Sequence, residues 1–169
     1  MTKPQAVQKA DVIVEEYVSS HLEGDESIVE VLSNGLQGSL VAASLVGIAI
    51  MLVCSALAGW SDVGLALGAG LGVGLGMLLM IKWKALVVTE RRLLLIKKDV
   101  WGKPVAVEAE YSLGACRIVS NDTKASFLRS LRIACDSDSV VLKVGKPWFD
   151  EATAVAVTMG GATRSETTA

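Results

Sequence analysis

The sequence predicts a membrane α + β protein: a two-helix transmembrane hairpin followed by a small antiparallel β-barrel or sandwich with a C-terminal helix. Three observations carry this. Between Gly35 and Ile81 the single charge is Asp62. Beyond Trp83, short stretches alternate apolar and polar residues between turn signals. Fourteen of the sixteen lysines and arginines lie at or beyond residue 82. The expected divisions are an N-terminal cytoplasmic amphipathic segment (1–35), the hairpin (36–82), the β domain (83–160) and a disordered tail (161–169).

The first segment has two basic and seven acidic residues, a net −5. No apolar h-region opens it, which argues against a signal peptide. Residues 5–22 read as a short helix with Ala6, Ala10, Ile13, Val14, Tyr17 and Val18 near one face. "LEGDES" turns the chain, and Ile28 to Leu32 is a short strand or helical lead-in. His21, the one histidine, reads as a surface residue at a helix end.

"LVAASLVGIAIMLVCSAL" (40–57) and the run 63–81 are uncharged. At 1.5 Å per residue each covers roughly 27–30 Å, about one bilayer core. The competing reading is a buried helical pair, but so small a chain leaves little protein to cover it. Lys82, Lys84, Arg91, Arg92, Lys97 and Lys98 follow the second run, and the connection "AGWSD" carries no basic residue. By the positive-inside rule both termini are cytoplasmic. The expected location is the inner (plasma) membrane, multi-pass, with Trp60 and Trp83 at the two interfaces.

Glycine costs a water-exposed helix about 1 kcal/mol per residue relative to alanine, so six in residues 63–78 need a reason. Residues four apart stack into a ridge. Gly64, Gly68, Gly72 and Gly76 make one ridge; Ala66, Gly70 and Gly74 make another on the opposite side. Gly35, Ser39, Ala43 and Gly47 form a smaller counterpart before and within the first run. Close backbone approach drives helix association in lipid, so one ridge serves the hairpin and the other a second copy. The sequence does not say which is which, and glycine as tolerated filler is the alternative. A phosphate loop is excluded, because neither G-x-x-x-x-G-K-[ST] nor a strand followed by G-x-G-x-x-G is present.

Residues 82–169 hold fourteen basic and ten acidic residues, a net +4. That is too weak to indicate nucleic acid as a partner. "ALVVTERRLLLI" reads as two strands around a charged turn. "AVEAEYSL", "ACRIVS", "SFLRSLRIA" and "SVVLKV" follow, parted by "WGKP", "SNDTKA" and "DSDS". About six short antiparallel strands result. "KPWFDEATAVAVTMGG" is a closing helix, with Pro147 in its first turn and Trp148, Ala152, Val155 and Met159 on its buried stripe. Cys116 and Cys135 are candidates for neighbours on adjacent strands. A reduced thiol pair is expected of them, and Cys54 reads as a small hydrophobe.

Thr89, Arg91 and Arg92, in a strand–T-x-R-R–strand opening after paired apolar spans, resemble the bacterial pleckstrin-homology-like (PH-like) membrane proteins. The resemblance covers roughly residues 83–160. It implies a PH-type β domain used for binding or assembly, and fixes no ligand.

Catalysis needs a nucleophile with a base, paired carboxylates or a metal cluster. None converges, and Glu108 and Glu110 fit an exposed strand face. The expectation is therefore a non-enzyme with no catalytic residue, no metal site and no cofactor. The leading reading is a membrane-anchored PH-like adaptor or scaffold that self-associates through its glycine-rich helix, as a homo-oligomer or with another protein. The alternative is an anionic-lipid-sensing module in which Arg91, Arg92, Lys97, Lys98 and Lys103 hold membrane lipid. A small holin-like hairpin pore is disfavoured, since no polar stripe lines it.

Overall fold

The computed structural model describes residues 4–58, 61–125, 127–136 and 138–160. The chain forms two compact units, Gln37–Lys82, and Met1–Leu36 together with Trp83–Ala169. In order the elements are α1 (Gln5–Ser19), β1 (Ile28–Gln37), α2 (Leu40–Leu57), α3 (Asp62–Met80), β2 (Lys82–Thr89), β3 (Arg92–Lys98), β4 (Pro104–Ser112), β5 (Cys116–Ala125), β6 (Leu128–Cys135), β7 (Asp138–Gly145) and α4 (Phe149–Thr158).

The strands form one seven-stranded antiparallel sheet in the order β4-β3-β2-β1-β7-β6-β5. This replaces the expected six-stranded barrel or sandwich. The additional strand is β1, which lies in the middle of the sheet; its start, Ile28 to Leu32, reads from sequence as a short strand or a helical lead-in, outside the expected β domain. A strand buried on both faces shows no alternation, and Val31, Leu32 and Ser33 of β1 are all buried. "SNDTKA", expected to be a turn, is the second half of β5.

The sheet has a core on each face. Val14 and Val18 of α1 pack with Val31, Ala85, Val87, Leu94 and Ile96. On the other face Leu32, Leu86, Leu93 and Leu95 share a cluster with Leu131, Ile133, Leu142 and, from α4, Ala152 and Val155. Strands from both ends of the order meet in that second cluster, so the sheet curls around it. The buried stripe of α1 is Val7, Asp11, Val14 and Val18. It is rotated from the expected face, leaving Ala6 and Ile13 exposed. In α4 the buried residues are Glu151, Ala152, Val155 and Ala156, with Trp148 and Met159 partly buried against the core. Gly160 takes a left-handed φ of 71° just past this helix, a conformation glycine adopts without steric cost.

The expected transmembrane hairpin is overturned. Among the described residues no helix is long and apolar enough to cross a membrane. Helices of 18 and 19 residues stand at the short end of the range of about 17–25 residues that spans a bilayer. Both are diluted by small residues: α3 carries six glycines and two alanines, and α2 one glycine, four alanines and two serines. The integral-membrane description, the multi-pass placement in an inner membrane and the cytoplasmic assignment of both termini lose their basis with it. Trp60 and the tail 161–169 lie outside the described residues.

Candidate functional site

In the unit Gln37–Lys82, glycine determines how closely α2 and α3 approach. A Cβ built on Gly72 would collide with the carbonyl oxygen of Gly47, and one on Gly76 would come within 2.5 Å of the Ala43 oxygen. At Gly68 the obstacles are Met51 O and Ser55 Oγ, both at 2.9 Å; at Gly64 it is Ala58 Cβ, at 2.6 Å. Gly47 faces the same seam, where a Cβ would sit 2.8 Å from Gly72 O. Gly64, Gly68, Gly72 and Gly76 are therefore the inner ridge. The counterpart on α2 is shorter than expected, because Gly35 belongs to β1 and Ser39 caps the helix by accepting from the Ala42 N–H at 3.2 Å.

Gly70 and Gly74 point the other way: a Cβ on either meets nothing within 4 Å. The neighbouring Leu67, Leu71 and Val73 are mostly exposed. An apolar groove of about 400 Å³, walled by Ile48, Met51 and Val73, runs along the pair.

In the sheet unit the five basic residues do not form one patch. Arg91 and Arg92 stand at the β2–β3 turn, whereas Lys97, Lys98 and Lys103 stand at the far end of β3. Seven residues of strand hold the two groups roughly 20 Å apart. Arg92 is engaged on several sides. It meets Glu26 at 2.7–3.1 Å, Glu110 at 2.8 Å and Glu23 at 3.4 Å, and donates to His21 O. Thr89 Oγ1 accepts the Arg92 N–H at 3.0 Å and donates to Glu26 Oε1 at 2.6 Å. The T-x-R-R turn thus ties the β2–β3 hairpin to the loop ahead of β1. Arg91 makes an exposed pair with Asp25 at 3.3 Å. Lys98 is buried, its Nζ donating to Ser33 O at 2.7 Å, and burial pushes its pKa below the usual lysine range. Lys97 and Lys103 remain exposed.

Glu108 and Glu110 are each claimed by a cation, Lys84 and Arg92 respectively. A register shift between Leu95 and Ile96 leaves Glu108 as the extra residue of a bulge, beside the fully buried Lys84. Sequence reasoning missed Glu26. The signal available was an acid-rich turn opposite a double arginine, and nothing local links positions 66 apart. His21 is exposed beyond the end of α1, its Nδ1 2.9 Å from Tyr17 O. Cys116 and Cys135 are register partners on β5 and β6 and form a disulfide, in place of the expected thiol pair. The strand register sets their Cα atoms 4.1 Å apart, which spacing in sequence does not reveal. Cys54 is a free thiol. Among the described residues no cluster of three or more His, Cys, Asp or Glu side chains is arranged to hold a metal ion. No family model matches the chain, and neither a curated protein nor a solved structure matches it at a significant level.

Proposed function

We propose that the protein is a non-enzymatic adaptor or scaffold that self-associates through the outer face of α3, with its sheet unit, of PH-like type, presented for binding. The observation that carries this is the open face at Gly70 and Gly74. Six glycines weaken a helix, and the inner ridge accounts for four of them. The other two leave bare backbone amid exposed Leu67, Leu71 and Val73. Contiguous exposed apolar surface of this kind marks an interaction site. Bare glycine lets a second backbone come close enough for dispersion contacts that a side chain would block. The matching occupant is the same surface on a second copy. It is apolar and uncharged apart from Asp62, and a two-fold axis pairs such a patch with itself.

The T-x-R-R turn, the antiparallel sheet and the closing α4 support the PH-like part. Anionic lipid has less support as a partner, since Arg92 already serves Glu26, Glu110 and Glu23, and the strand between holds Arg91 and Arg92 roughly 20 Å from Lys97, Lys98 and Lys103. The test is sedimentation of the full chain over a dilution series. A mass of two or more chains that falls on dilution is expected, and a monomer at every concentration would refute the proposal.

A further inference from the structure

The sheet unit contains a cleft of about 330 Å³ between α1 and the β3–β4 turn. This is near the small end of ligand pockets. Its walls include Ile13, Trp83 and Trp101, with Lys9, Lys98 and Asn34 as polar groups. Trp101 is 84% exposed, and the backbone that carries it is well bonded. Asp99 Oδ1 accepts the N–H groups of Trp101 at 2.9 Å and Lys103 at 2.8 Å. Asp99 N–H donates to Lys103 O at 2.9 Å, and Gly102 N–H to Asp99 O at 3.1 Å. Gly102 supplies the left-handed φ of 79° that closes the turn. An exposed indole on so well bonded a turn offers an apolar surface whose backbone needs no further ordering when a ligand is laid against it.

Lys98 sits in the wall of the same cleft and is only 7% exposed. An ammonium has three N–H donors, and the hydrogen bond given to this one is to Ser33 O. Asp99 and Asp11 are the carboxylates whose charge reaches it, and burial still holds its pKa below the usual lysine range. An anion entering from the cleft meets this ammonium in the wall, and Lys9 adds a second positive charge. Ile13, displaced from the buried stripe of α1, lines the cleft and has no place in the core.

We propose that this cleft binds a small amphiphilic anion, an aromatic or short acyl carboxylate whose apolar body lies against Trp83 and Trp101 and whose carboxylate faces Lys98. The proposal is independent of self-association by the helix pair. The test titrates the full chain by calorimetry with 1-naphthoate and with its neutral counterpart, 1-naphthamide. The naphthoate should bind at least about ten-fold more tightly, as expected for a charge-assisted hydrogen bond. Lys98→Met should erase that preference, Lys98→Arg should keep most of it, and Trp101→Ala should weaken both ligands. Equal affinities in the wild type, a preference that survives Lys98→Met, indifference to Trp101→Ala, or no binding at millimolar ligand would each overturn the proposal. If Lys98→Met does not fold, the wild-type preference and Trp101→Ala decide the matter.

Discussion

Glu26 grips Arg92: one carboxylate oxygen lies 2.7 Å from Nη2, and both oxygens lie 3.1 Å from Nε. The pair joins the loop ahead of β1 to the first residue of β3. It fastens the central strand to the hairpin that flanks it. Both side chains are largely buried, and breaking a buried pair strands the surviving charge.

The hydrogen bonds from Arg92, reinforced by Thr89, hold Glu26 below the usual carboxylate range against the opposing effect of burial. A depressed folded pKa stabilises fully above the unfolded value of about 4.3, and the contribution fades as pH falls through the folded value. Glu26→Gln should cost about 2–3 kcal/mol at neutral pH. Its deficit should shrink on acidification, until the two proteins converge below the folded pKa. Urea denaturation from about pH 7 to about pH 2 reads both. A deficit independent of pH would contradict the ion pair.

Lys84 makes the same point on the other face. It is fully buried and paired with Glu108, itself over a third exposed. Glu108→Ala leaves a buried ammonium without its counter-charge and should cost about 2–4 kcal/mol, somewhat under a fully buried pair. Replacing both, Lys84→Met with Glu108→Ala, should recover much of that loss. Chemical denaturation of the single and double variants measures it, and no recovery would mean that Lys84 acts through packing alone.

The Cys116–Cys135 disulfide closes a loop with a sequence separation of 19. Loop-closure entropy assigns such a link about 3 kcal/mol. Reduction, or Cys116→Ser with Cys135→Ser, should lower the unfolding midpoint accordingly in calorimetry. An unchanged midpoint would show that strand pairing alone fixes that edge of the sheet.

Residues 38–81 are inserted between β1 and β2. A Cβ built on Gly38 would collide with the Met80 carbonyl oxygen, so the two ends of this insertion lie side by side. A chain in which residues 39–80 are replaced by a short glycine-containing turn should keep its sheet. Residues 83–160 alone should not, because they lack the central strand and α1. Far-ultraviolet circular dichroism with a cooperative thermal transition distinguishes the two. A folded 83–160 fragment would contradict the topology.

Alternation made β6 and β7 legible, since each has one face wetter than the other. The same rule left β1 undecided between strand and helical lead-in, because its consecutive buried residues Val31, Leu32 and Ser33 show no period of two. Polar "SNDTKA" suggested a turn because composition carries no information about edge pairing; β5 simply continues along β6. The glycine ridges were legible because helical geometry fixes which residues share a face. Which ridge faced inward depended on the contacts of α2. The membrane expectation rested on two uncharged runs, but no described helix is long and apolar enough to cross a membrane. Arg92 could be located from sequence, but its partner Glu26 could not, because ion pairs between distant segments leave no local pattern.

The most direct test compares Gly70→Leu with Gly72→Leu by sedimentation and cross-linking of the full chain. A leucine at Gly72 is driven into the backbone of α2 at Gly47 and should disrupt the helix pair itself, seen as lost helicity or aggregation. A leucine at Gly70 enters open space. It should leave the monomer folded and shift the chain toward monomer in a graded way, as expected when contacts are removed by pushing two backbones apart. Self-association unchanged in Gly70→Leu, or the same outcome for both substitutions, would contradict assembly through the outer face of α3.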